Sequence, residues 1–311
     1  MRDSFRRRAA PAALLIALAA AALPACSAEG DFVKPVSYEK TARENYDRGL
    51  AALNKGRTLE AQKLFTYVKT KFPYSDLAVF AELRLADATM STGEFAAAID
   101  AYKLFIKLHP THIMVPYATF RIGLAMYKQI PTDWILVPPS YEREQAAVLD
   151  ALSHLSAYVA RYPDHEFVPA AKDIIVACKK KLAAHEWYVA RFYYKRDKYE
   201  ATVMRLRGLL GDYKGVGYDR DAYYYLVASL AALKRMDEAC KAWLDMKHDL
   251  PDEGATRRAS GLLRGKTCTE GAAAPVAAPA APDAPATSAP AAAPAPAPAV
   301  APAPAPAPEK P

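Results

Sequence analysis

The chain has 311 residues, and six histidines, four cysteines and 34 carboxylates are the side chains that could carry chemistry. Their spacing decides what that chemistry would be. His109-Pro110-Thr111-His112 sets two imidazoles with two residues between them, a separation that suits a metal ion. Pro110 puts the pair in a turn, however, and no cysteine or carboxylate cluster accompanies it, so the expected reading is a structured loop. Glu142 and Glu144 resemble the paired carboxylates of general acid–base sites. They fall at an expected helix start, where the positive end of the dipole favours acids without any catalytic role. The chain lacks Gly-x-Gly-x-x-Gly, a Walker loop and Gly-x-Ser-x-Gly. The expectation is a non-enzyme with no catalytic residue, no metal site and no cofactor.

The cysteines carry the clearer signal. Arg2, Arg6, Arg7 and Arg8 form a positive start, and Ala12 to Leu23 is an apolar stretch of signal-peptide length. Leu23-Pro24-Ala25-Cys26 follows and resembles a bacterial lipobox, with Pro24 departing from the usual small residue. Residues 1–25 therefore read as a lipoprotein signal peptide, Cys26 as the lipidated first residue of the mature chain, and 26–37 as a linker. Several long acyl chains, at about 0.8 kcal/mol per buried CH₂, anchor a protein without help from the polypeptide. Ser27, a non-acidic residue after the Cys, points to the outer membrane and its periplasmic face. In an oxidising compartment three further cysteines leave at least one unpaired within the chain. Cys178, among Ile174, Ile175 and Leu182, reads as core, and Cys240 and Cys268 as a disulfide closing the end of the body.

The elements that position these residues emerge from composition and period. Lys and Arg number 41, for a net charge of +7, of which residues 1–25 contribute +3. The +4 left on the body is too dilute for nucleic-acid binding. No run of 18 apolar residues follows residue 25, so no membrane-spanning helix is expected there. Residues 271–311 hold 20 Ala and 13 Pro in 41 positions, and 267–311 read as a disordered, polyproline-like tail.

Between linker and tail, residues 38–266 repeat. Gly49, Ala61, Phe65 and Pro73 recur as Ala86, Ala98, Tyr102 and Pro110, with Gly56 and Gly93 at equivalent turns. A third unit has Gly123, Ala151, Leu155 and Pro163, with 16 extra residues around Ile130-Pro131 to Pro138-Pro139. The fourth, Tyr188, Phe192 and Ala201, has Tyr213 where Pro would stand; the fifth has Tyr223, Leu226, Ala239, Trp243 and Pro251. This is the tetratricopeptide pattern, about 34 residues per unit, in which small residues let two helices approach and Pro ends the second. The expected fold is all-α: a right-handed solenoid of about five helical hairpins (38–75, 76–111, 112–164, 165–214 and 216–266), with Asp252 to Arg264 as a cap. Phe65, Tyr102 and Trp243 are assigned to packing. The concave face, lined by the first helix of each hairpin, suits an extended peptide or a partner helix.

Three stretches go beyond the generic repeat: Tyr102 to His112 with Val115-Pro116-Tyr117-Ala118 and Arg121-Ile122-Gly123; Phe72-Pro73-Tyr74-Ser75; and His185-Glu186-Trp187-Tyr188 through Arg196, with Tyr199-Glu200-Ala201 and Arg205. With the lipobox, the third-unit insertion and the five hairpins, residues 26 to about 250 resemble the BamD (ComL/YfiO) family of outer-membrane assembly lipoproteins. That resemblance implies a non-enzymatic scaffold of the β-barrel assembly machine. Its N-terminal repeats would receive unfolded outer-membrane proteins, and its C-terminal repeats would dock, alongside other lipoproteins, on the POTRA domains of a BamA-like barrel subunit. Arg205 matches the family's docking Arg, with Arg207 as its neighbour and alternative. Tyr46, Tyr117 and Arg121 are groove candidates. Two rival readings stay open at this point: a pilotin escorting a secretin, and a periplasmic scaffold for cell-wall enzymes.

Overall fold

A computed structural model describes residues 36–131, 139–250, 253–263, 265 and 267–268. The expected signal peptide, Cys26, the centre of the third-unit insertion, Pro251 and the Ala/Pro tail lie outside the described residues. Eleven α-helices and no strand occur among the described residues. They pair in chain order as α1 (Ala42–Asn54) with α2 (Thr58–Lys71), α3 (Asp76–Ser91) with α4 (Phe95–Leu108), α5 (Val115–Gln129) with α6 (Ala146–Arg161), α7 (Val168–Tyr194) with α8 (Tyr199–Asp212), and α9 (Asp219–Ala232) with α10 (Met236–Asp249). Each helix packs on its chain neighbours, which makes five stacked hairpins.

The small-residue pattern has a direct steric cause. A Cβ on Gly49 would meet the Phe65 ring at 2.7 Å, and one on Gly123 would meet Leu155 Cδ2 at 2.4 Å. Both sites therefore permit a helix approach that no larger residue allows. At the far end of each hairpin, Phe72, His109, Tyr162 and Tyr213 leave the helix with φ between −127° and −130°. In three of the four a Pro follows and disfavours the helical region for its predecessor. Tyr213 adopts the same geometry without Pro, which explains how the fourth unit keeps its register with a weaker signature. The landmarks Gly49, Ala86 and Gly123 stand 37 residues apart rather than the expected 34. The extra residues lie between hairpins: four turn residues and ten helical ones lead to Ala86, and six turn residues and eight helical ones lead to Gly123.

Two features depart from a uniform stack. α7 runs for 27 residues, about twice the length of its neighbours, because nothing from Ala170 to Tyr194 breaks it; its Pro169 sits in the first turn, where proline is tolerated. Its first half packs with α6 and its second half with α8. The exposed flank is covered by the returning end of the insertion, a 3₁₀ turn at Ser140–Glu142 whose Tyr141 carbonyl lies 2.7 Å from His185 Nδ1. Glu142 and Glu144 consequently lie in this strap and not, as expected, at a helix start; α6 begins only at Ala146. At the C-terminal end, α11 (Glu253–Ser260) and a 3₁₀ turn (Gly261–Leu263) fall within the segment expected to cap the stack. Ala255 and Ala259 are buried against Tyr223 and Met246, Trp243 Nε1 donates to the Thr256 carbonyl at 3.0 Å, and Cys240 and Cys268 are disulfide-bonded. Cys178 is fully buried, and burial pushes its thiol up to about 11.

Candidate functional site

The first helices of hairpins one to three, together with α4, bring one polar constellation together. Asp87 on α3 is 5 % exposed, and its carboxylate accepts hydrogen bonds from three groups and forms an ion pair with a fourth. Tyr102 Oη on α4 donates at 2.5 Å and Tyr117 Oη on α5 at 2.8 Å. Arg84 Nη1, one turn earlier on α3, donates at 2.7 Å, and Arg121 Nε on α5 stands 3.3 Å away. Arg121 Nε also donates to Tyr102 Oη at 3.0 Å, and Arg84 Nε reaches Tyr46 Oη on α1 at 3.4 Å. Both guanidiniums lie within 5.7 Å of the Tyr117 ring centroid, as cation–π contacts.

A carboxylate this deep requires such partners, since an unpaired buried charge is strongly unfavourable. Burial first, then the Asp87 charge, pushes the Tyr102 and Tyr117 hydroxyls far above their usual range, so both remain protonated donors. Arg84 and Arg121 keep their charge throughout. Two cations around one anion leave a surplus positive charge. Arg84 and Arg121 side chains are 24 % and 23 % exposed, so that surplus borders solvent.

Of the sequence candidates, Tyr117 and Arg121 belong to this constellation. Tyr46 reaches it only through its hydroxyl; its ring is buried edge-on against Phe65 and does not line an open groove. Asp87 and Arg84 were missed, and Tyr102, assigned to packing alone, is both core and network. One signal was present: Arg84 and Arg121 are 37 residues apart, each two before the small landmark residue, and so share a face.

Arg205 sits on α8, half-buried. Its Nη1 is 3.3 Å from both Glu186 carboxylate oxygens on α7, and its buried Nε has no hydrogen-bond partner. Arg207, more exposed, pairs with Glu238 on α10. The two arginines therefore sit on different ion pairs, that of Arg205 within the fourth hairpin and that of Arg207 between the fourth and the fifth. His109 and His112 form a turn, as expected. His109 Nε2 lies 2.9 Å from Glu82 Oε2, and His112 Nδ1 accepts from the Met114 amide at 3.1 Å. No group of three or more metal-ligating side chains converges among the described residues.

A profile of the YfiO family, described as outer membrane lipoprotein, matches residues 38–243, from just before α1 into α10. The chain belongs to the YfiO family. Relatives include the outer membrane protein assembly factor BamD of Neisseria gonorrhoeae, 26 % identical over 227 residues, covering 70 % of this chain and 82 % of that one. The Caulobacter vibrioides protein of the same name is 25 % identical over 236 residues, covering 76 % and 75 %. Among solved structures, the TPR2AB-domain complex of yeast Sti1 aligns at 13 % identity with a TM-score of 0.39, over 71 % of this chain and 82 % of that one.

Proposed function

We propose that this YfiO-family chain is a non-enzymatic scaffold for outer-membrane protein assembly, tethered through lipid on Cys26 to the periplasmic face of the outer membrane. The observation that carries the reading is the extent of the family match: it runs unbroken across four hairpins and most of the fifth, and includes the Asp87 constellation. In this reading the N-terminal concave face receives extended segments of unfolded outer-membrane proteins. Arg84 and Arg121 meet a carboxylate and Tyr117 offers a ring to aromatic side chains. Arg205, with Arg207 beside it, contributes to docking on the periplasmic domains of a BamA-like subunit. A guanidinium at such an interface can bind a partner carboxylate bidentately in competition with Glu186.

The groove is tested with a fluorescent peptide copying the C-terminal strand of an outer-membrane barrel protein. Wild type is expected to bind it, and Arg121→Gln, checked for retained helicity, to bind at least tenfold more weakly. Equal binding by the two proteins would remove the groove from the proposal.

A further inference from the structure

On the opposite side of the fourth hairpin from the Arg205–Glu186 pair, a cleft of about 380 Å³ opens along the C-terminal half of α7. Trp187, Tyr188, Arg191, Phe192 and Lys195 recur at helical spacing and form one stripe, with Arg196 just past the helix end. The strap residue Tyr141 and the loop residue Tyr218 close the two sides. Tyr141 is held there by ring contact with Tyr188 at 5.1 Å, so the cleft is built jointly by α7 and the insertion.

Its cations differ from the ion-paired ones of the neighbouring elements. Arg205, Arg207, Lys214 and Arg235 each have a carboxylate partner within the chain. Arg191, Lys195 and Arg196 have none among the described residues. Two of them are instead fixed over aromatic faces: the Arg196 guanidinium carbon lies 3.5 Å from the Phe192 centroid and that of Arg191 lies 5.7 Å from Trp187. The neighbouring acid, Glu142 on the strap, acts on the Tyr188 hydroxyl and holds it above its ordinary range. Tyr188 and Phe192 remain 39 % and 42 % exposed.

Aromatic rings and Arg together mark the residues that dominate protein–protein interfaces, because they combine area, rigidity and directed charge. We propose that this cleft is a docking site for an acidic, extended peptide segment of a protein partner, one that carries a large apolar side chain between carboxylates. The apolar side chain would lie on Phe192 and Tyr188 while the carboxylates pair with Arg191, Lys195 and Arg196. A purely apolar occupant would strand three cations without compensation, and a small anion would leave the rings unused. The cleft itself does not depend on the assembly reading; only the identity of the partner does.

The test uses the full chain and a labelled decapeptide of alternating glutamate and phenylalanine, beside a twin with lysine in place of each glutamate. Fluorescence anisotropy should register binding of the acidic probe and at least tenfold weaker binding of the twin. The double variant Arg191→Gln/Arg196→Gln should lose at least tenfold and Tyr188→Ala several-fold, whereas Lys241→Ala, on the exposed side of α10, should bind as wild type. All four positions are exposed or half-exposed, so unchanged thermal melting serves as the folding control. Equal binding of the two probes, or wild-type binding by the double variant, would overturn the proposal. So would displacement of the probe by phosphatidylglycerol vesicles, which would make the occupant a membrane, or tighter binding after deletion of residues 271–311, which would make it the chain's own tail. No assembly partner is present in the assay, so its failure removes the cleft alone, and failure of partner co-purification with probe binding intact removes the assembly reading alone.

Discussion

Replacing Asp87 by Ala should destabilise the N-terminal hairpins more than any single surface charge could. Exposed ion pairs contribute about 0–1 kcal/mol. Asp87, at 5 % exposure, is bonded to two hydroxyls and two guanidiniums drawn from three helices. Its removal leaves Arg84 and Arg121 facing each other without an anion and two tyrosine hydroxyls without an acceptor. Breaking a buried pair in this way costs about 3–5 kcal/mol. The two arginines retain roughly a quarter of their side-chain exposure, which lets water repay part of the loss and points to the lower end. For a body of this size each kcal/mol moves the melting temperature by about 2–4 °C, so a fall of at least 6 °C is expected. Differential scanning calorimetry measures it, and a double-mutant cycle with Arg121→Met should return coupling above about 0.5 kcal/mol. Destabilisation below about 1 kcal/mol, or additive single variants, would refute the claim that Asp87 organises the network.

Gly123→Ala should cost about 1–3 kcal/mol by overpacking on Leu155, and Leu155→Val should recover part of it; urea unfolding decides, and a neutral Gly123→Ala would mean the helices yield freely. Loss of the Cys240–Cys268 bond, by Cys268→Ser, removes closure of a 28-residue separation and should lower stability by about 3–4 kcal/mol, seen as earlier hydrogen exchange in α10 and α11. Burial opposes the Glu82 charge, but hydrogen bonds from His109 and Lys69 outweigh it and hold the carboxyl below its ordinary value of 4.5. Because the folded-state pKa is the lower one, this stabilisation is fully present above pH 4.5 and is lost as pH falls through the folded value. Acid titration of the melting temperature should therefore be shallower in Glu82→Gln than in wild type.

Much of the scaffold was legible because tetratricopeptide units encode their packing locally. Gly49 with Phe65 and Gly123 with Leu155 are pairs within one hairpin, and their small-plus-large spacing is fixed by helix geometry. The 27-residue α7 was not legible, since Tyr188 and Phe192 fit a hairpin's first helix whether it starts at residue 168 or a dozen residues later. The Asp87 network escaped for a different reason. Its members come from α1, α3, α4 and α5, and a lone Asp among Ala and Leu on a helix carries no sign of being buried until the neighbouring hairpin supplies Tyr117 and Arg121. Arg191, Lys195 and Arg196 were read only as part of a family resemblance, because a lack of carboxylate partners is a property of the folded surface.

The central claim is that this lipoprotein-family solenoid serves outer-membrane protein assembly through its partners. Affinity purification of the native, full-length protein from its own membranes, with mass-spectrometric identification of what elutes, tests it most directly. The account predicts a BamA-like barrel subunit in the eluate of wild type and its marked loss from Arg205→Ala. Recovery of a secretin with no barrel subunit would contradict it.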